Sequence, residues 1–292
     1  MTTPACGPDL SCASGNRLGI VSMVMAMVCF GINDALAKQI SQQVPTFQLI
    51  FLRSFVVLGL MLGAMSFMGF SRHLRPLHQP AVLGRGLLDA AGTLCYLAGL
   101  FKVALSTATT ITMSAPLFMT LAAALLFGER VLPRRWLCTA LGFVGVVLVV
   151  QPNREGFNAY AGLCLLGTLL NVGRDLMTRR IHRDTHSVTL GAASCIALIA
   201  LAGLLSLAED WRALDVRAMA MLLGASVCLA TAHVFLVQSL RHGELSVVAP
   251  FRYVSLPLAL ALGYLLWRDI PTPMAWAGML LIVGSSLYVS RR

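Results

Sequence analysis

Runs of about 20 apolar residues recur along this chain, and they limit its fold more than any other feature. A helix needs roughly that length to cross the hydrocarbon of a bilayer. Ten such segments are read as helices, over 18–40, 47–70, 81–103, 106–128 and 136–150, then 159–177, 187–207, 218–240, 245–267 and 274–290. Composition agrees: 58% of the 292 residues are hydrophobic and 12% charged, about half the charged share of a soluble domain. The expected fold class is therefore all-α integral membrane, with ten transmembrane helices, short loops and no soluble domain. The net charge of +10 does not argue for nucleic acid, since the basic residues are scattered and no basic stripe interleaves with aromatics. Eight cysteines include no CxxC pair, and six lie in apolar runs. They read as small core residues rather than a disulfide frame or metal site. The first 16 residues lack a basic n-region, so the first apolar run is read as an uncleaved span.

Loop charge sets an expected orientation. Loops that would share one side carry twelve basic residues, from Arg17, Arg72 and Arg75 to Arg291 and Arg292, against six on the other, Lys38, Lys102, Arg154, Arg212, Arg217 and Arg268. The positive-inside rule then places both termini in the cytoplasm.

The two halves repeat. Asp34 and Lys38 recur as Asp175 and Arg179, and Ser114, Pro116 and Leu117 as Ser255, Pro257 and Leu258, all at one offset (175 − 34 = 257 − 116 = 141). Five helices per half is an odd number, so the second half must enter the membrane from the opposite side. The expected division is a tail over 1–17, a first repeat over 18–150, a linker over 151–158 and a second repeat over 159–292. Inverted repeats of this kind place a binding site near the midplane and exchange its access from side to side.

The phrase APLFMTLAAALLFGERV followed by RRWLCTALGFVGVVLVV resembles the end of a first EamA domain of drug/metabolite transporters. VVAPFRYVSLPLALALGYLLWRDIPTPMAWAGMLLIVGSSLYVSRR resembles the end of the second. The likeness runs from Leu18 to Arg291 and is nearest the branch with riboflavin and S-adenosylmethionine carriers. Arg268-Asp269 departs from the usual Gly-Glu. The resemblance implies ten helices, a central cavity lined by helices 1, 3, 4, 6, 8 and 9, and alternating access. Relatives carry amino acids, nucleotide-like cofactors, flavins and opine-type chelators, so the substrate stays open.

Charged residues at membrane depth cost about 2.5–3.5 kcal/mol each and are candidate functional groups. Arg252 and Tyr253 lead, a forked donor beside a ring and hydroxyl, within a helix interrupted by Pro250 and Pro257. The competing reading pairs Arg252 with Asp89. Asp34, with Asn33 and Lys38, suits a substrate amine or a coupling proton, against an interfacial Asp–Lys pair. Arg174 and Asp175 form the mirrored constellation, as gate or anchor. Arg85 and Asp89 pair within one helix, or Arg85 holds a substrate anion with Tyr96 further along the pathway. His233 could relay protons or simply pack. Arg53 is read as snorkelling to headgroups, and Gly59 and Gly63 as letting helix 2 approach a neighbour. His182 and His186 lack a third ligand, so no metal and no cofactor is expected beyond a coupled proton. No P-loop, nucleophile elbow or HExxH occurs.

The expectation is a secondary-active carrier, not an enzyme, in a bacterial inner membrane. Its substrate would be a small polar or zwitterionic metabolite, with a lean to export. Uptake of a flavin-like or adenosyl-type compound is the runner-up. An integral-membrane enzyme on lipid substrates is the different-class alternative. Partners are that metabolite and membrane lipids, without nucleic acid, and a homodimer is left open.

Overall fold

The computed structural model describes residues 10–67, 79–127, 133–150, 159–178, 187–242 and 248–290. The expected spacing of His182 and His186, the 151–158 linker and the tail up to residue 9 lie outside them. The described residues are helical, with no strand among them. In chain order the helices are α1 (Leu10–Ile40), α2 (Thr46–Phe67), α3 (Pro80–Leu100), α4 (Leu105–Thr112), α5 (Ala115–Phe127), α6 (Pro133–Val150), α7 (Ala159–Thr178), α8 (Ser187–Ser206) and α9 (Val216–His242). A 3-10 turn (Ala249–Val254), α10 (Ser255–Trp267) and α11 (Pro273–Ser290) follow.

The outer surface is apolar. Phe55, Leu125, Leu137, Leu207, Leu265 and Leu280 are each more than 60% exposed, and so many large apolar side chains left uncovered suit lipid better than water. Among the described residues four stretches are long and apolar enough to cross a membrane: Asn16–Ile40, Thr46–Gly63, Pro80–Leu100 and Val216–Leu236. Others are shorter apolar helices, such as Leu190–Ser206 and Phe251–Trp267.

Two expected helices are broken rather than continuous. The fourth interrupts between Thr112 and Ala115, and the ninth opens as a 3-10 turn before Ser255. Pro116 and Pro257, each two residues past a serine at the break, supply no N–H to the helical ladder. The serine hydroxyls bond back at each break: Ser114 donates to Ile111 O and Ser255 to Arg252 O, each three residues back and each beside the serine's own N–H on the same carbonyl. The same bond thus recurs one repeat later (252 − 111 = 141). The first helix also starts earlier than expected, at Leu10.

The packing pairs obey the same exchange. α1 packs on α9 and α3 on α7; α2 on α9 and α3 on α8; α4 on α7 and α1 on α10. Replacing each helix by its counterpart one repeat away turns the first member of each pair into the second. α2–α8, α4–α10 and α6–α11 map onto themselves. Followed in order, α1, α9, α2, α8, α3, α7, α4 and α10 close a circuit, with α6 and α11 outside it.

Glycines set the closest approaches. A Cβ at Gly167 would stand 2.7 Å from Gly92 O, and one at Gly278 2.7 Å from Gly145 O, so only glycine permits α3 on α7 and α6 on α11. Gly59 and Gly63 behave otherwise than expected: no atom lies within 4 Å of a Cβ built at either.

At the end of the molecule where α1 stops, side chains hold the loops. Glu209 accepts from the free Phe47 and Gln48 N–H groups at the start of α2, at 3.0 and 2.9 Å to Oε2. A carboxylate is favoured at this helix end. Gln48 and Arg212 exchange side-chain to backbone bonds of 2.7 and 3.0 Å. Asp215 accepts from Ala218 N in the first turn of α9.

Candidate functional site

Two polar clusters lie along α3. Its face toward α7 carries Arg85, Asp89, Gly92, Tyr96 and Gly99, a stripe at helical spacing. Asp89 and Tyr96 are separated by seven residues, about 10 Å along the axis.

The first cluster crosses the circuit of helices. Tyr96 Oη donates to Asp34 Oδ2 of α1 at 2.9 Å. α1 and α3 are not neighbours in the circuit, so this bond spans its interior. Asn33 Nδ2 donates to Asp34 Oδ1 at 2.9 Å, and Arg53 Nη1 of α2 donates to Asn33 Oδ1 at 3.3 Å. Asn33 is 2% exposed and Arg53 4%. Asn33, Asp34 and Tyr96, all expected as site residues, are brought together. Arg53 is a correction. It does not snorkel to headgroups, because α2 turns Ile50, Arg53, Ser54 and Val57 inward and Phe55, Gly59 and Leu62 outward.

One turn beyond Asp34, Lys38 closes the same end. Its Nζ donates to Val103 O at the α3–α4 turn, stands 3.9 Å from Asp269, and lies 4.9 Å from the centroid of the Trp267 ring. This joins the first half to the end of α10. Asp269, noted in the sequence only as a departure from a family pattern, has a structural partner here.

The second cluster joins α3 to α7 and α8. Arg174 Nη1 meets Asp89 Oδ1 at 2.6 Å, closer than the 4.0 Å from Arg85 to Asp89 within α3. Arg174 also binds Asp175, through Nε at 2.9 Å and Nη2 at 2.8 Å. Arg85 Nε donates to Thr178 Oγ1 at 2.8 Å, and its Nη1 reaches Leu190 O and Ser194 Oγ. Four expected residues, Arg85, Asp89, Arg174 and Asp175, thus share one network. Thr178 and Ser194 complete it. Ser194 had a signal in the sequence, since it falls one repeat after Arg53 (194 − 53 = 141).

The remaining candidates stand apart. Arg252 is exposed on the 3-10 turn and is in none of the ion pairs of the described residues. The Arg252–Asp89 pair of the competing reading is not formed; Asp89 takes its cations from α7 and from its own helix. Tyr253 is half-buried beside it. His233 is exposed, with Nδ1 2.8 Å from Leu229 O of its own helix and its ring edge against Phe30 at 5.3 Å.

Residues 17–151 and 160–291 match the EamA-like transporter family. The chain is 32% identical over 209 residues to the riboflavin transporter of Rhizobium johnstonii, covering 72% of this chain and 69% of that protein. It is 26% identical to the pseudopaline exporter CntI of Pseudomonas aeruginosa over 94% and 96% of the two chains. It is 24% identical to the S-adenosylmethionine uptake transporter of Rickettsia bellii, over 93% of each. A solved crystal structure at 20% identity shares the fold, with a TM-score of 0.63 over 93% of this chain and 96% of that one.

Proposed function

We propose that this chain, which belongs to the EamA-like transporter family, is a secondary-active carrier of a small polar or zwitterionic metabolite that works by alternating access. Transport of small metabolites is common to the named relatives. The observation that carries the finer reading is the Tyr96–Asp34 bond across the helix circuit, held to Arg53 through Asn33. An interior acid, amide, phenol and guanidinium offer both signs of charge to one solute, at the depth where a repeat-built carrier holds its cargo.

The exchange symmetry of the packing pairs and the twin breaks at Ser114 and Ser255 support ten crossings in two inverted sets of five. The loop charges support cytoplasmic termini, and the bacterial relatives an inner-membrane location. On that orientation Lys38 and Asp269 are the external closure, and the Arg85–Asp89–Arg174–Asp175 network is the cytoplasmic one. Arg252 and Tyr253 are assigned to the vestibule that leads to the central cluster, and Asp34 is assigned as the carboxylate that holds the coupling proton when no solute occupies it. Export is supported by the pseudopaline exporter, 26% identical over nearly the whole chain. Uptake of a flavin-like or adenosyl-type compound is the second reading, supported by the other two relatives.

Purified protein in liposomes tests this. Labelled S-adenosylmethionine, riboflavin and a pseudopaline-type opine are offered for counterflow against the same unlabelled compound. Saturable exchange of at least one is expected. A chemically altered product would mean an enzyme, and no exchange of any of them would refute the carrier reading.

A further inference from the structure

Three arginines lie in the interior near α3, and they differ in how much of their donor capacity is used. A guanidinium carries five N–H donors in a planar fork. Arg174 commits all three nitrogens, to Asp175 and Asp89. Arg85 commits Nε to Thr178, and Nη1 to the Leu190 carbonyl and Ser194. Arg53 is the most enclosed of the three side chains, 4% exposed. Yet among the described residues it makes a single hydrogen bond, a long one of 3.3 Å to Asn33 Oδ1, and no ion pair.

A buried guanidinium whose donors go largely unused is costly, and a chain has no reason to keep one unless something completes it. Asp34 offsets part of that charge from a distance but makes no ion pair with Arg53, and each of its oxygens already accepts a bond, from Asn33 and Tyr96. Asn33 also fixes the geometry, since its amide accepts from Arg53 and donates to Asp34, which sets cation and carboxylate one amide apart.

We propose that Arg53 binds a free carboxylate of the transported solute, and that Asp34, once Tyr96 lets go, takes the cationic amine of the same molecule. This rests on the central cluster being the transport site. It narrows the cargo to amino-carboxylates and sets aside solutes without a carboxylate, such as riboflavin. The fork is suited to a carboxylate in two-point contact, which a lysine cannot reproduce.

The test reads binding and transport separately. The Tm of detergent-purified protein is followed with S-adenosylmethionine, a pseudopaline-type opine and N-carboxymethyl amino acids. Each is paired with its methyl ester or decarboxylated form, and riboflavin is included. At least one carboxylate should raise the Tm while its ester does not. Arg53→Gln should weaken that carboxylate about 30-fold or more and leave the unliganded Tm and elution profile near wild type. Arg53→Lys should fall between, and it carries the comparison if the Gln variant does not fold. Equal response to acid and ester, no response to any carboxylate, or a carboxylate response unchanged in the Arg53 variants would overturn the proposal. Counterflow then separates the two readings. Riboflavin exchange without carboxylate binding keeps the carrier and removes this role of Arg53. Arg53-dependent binding without exchange keeps the site and removes the carrier.

Discussion

Lys38 stands 3.9 Å from Asp269, and with that pair the end of α1 is tied to the end of α10 from the other half of the chain. The Lys38 side chain is 9% exposed and that of Asp269 34%, so solvent weakens the ion pair itself. Across the two halves the Trp267 ring adds to it, and the enclosed bond to Val103 O at the α3–α4 turn fixes the Lys38 head in place. Lys38→Met should remove about 1.5–3 kcal/mol of charge-assisted hydrogen bonding and shift the balance of states about tenfold or more toward opening at this end. In a background freed of native cysteines, Tyr96→Cys should then react several-fold faster with an impermeant thiol reagent applied from that side. Equal rates with and without the Lys38 change would show that this contact is not a closure.

The Tyr96–Asp34 bond predicts a graded loss of function. Tyr96→Phe removes one donor and keeps the ring, so transport should fall about tenfold. Asp34→Asn keeps the shape but not the charge. It should abolish gradient-driven transport and its dependence on a proton gradient, while counterflow of bound solute persists at a reduced rate. Proton-gradient-dependent accumulation by Asp34→Asn would exclude this carboxylate as the coupling group.

Asp89 is the shared acid of two arginines, 16% exposed at the side chain. Removing one member of an enclosed pair typically costs about 3–5 kcal/mol; partial exposure brings the expected loss for Asp89→Asn to about 2–3 kcal/mol. Thermal unfolding in detergent should show it as a clear drop in Tm. A second change, Arg85→Met, should recover part of the loss, because Asp89 is its ion-pair partner among the described residues whereas Arg174 keeps Asp175. A single variant as stable as wild type would contradict the geometry of this network.

Glycines offer a contrast independent of charge. Gly167→Ala would place a methyl group 2.7 Å from Gly92 O and 2.8 Å from Tyr96 N, forcing α3 and α7 apart at a cost of about 1–3 kcal/mol. Gly59→Ala meets nothing within 4 Å and should be neutral or stabilising by up to about 1 kcal/mol through helix propensity. Matching Tm changes for the two variants would refute the close approach of these helices.

Much of this architecture was legible in the linear chain. The length of the apolar runs called for membrane helices, because hydrocarbon accepts only backbone that satisfies its own hydrogen bonds. The offset of 141 foretold that whatever happened at Ser114 and Pro116 would happen again at Ser255 and Pro257. The charges at depth marked Asp34, with Asn33 beside it, and Arg85, Asp89, Arg174 and Asp175, because such residues are too costly to leave facing lipid.

Which of those charges meet was decided only by the tertiary structure. A helix that is apolar all round carries little periodic signal of which side turns inward. Its rotation is set by contacts such as Gly92 on Gly167, between residues 75 positions apart (167 − 92 = 75). That is why Arg53 is enclosed beside Asn33 while Arg252 is exposed on a turn. It is also why Asp89 pairs across to Arg174 rather than first within its own helix.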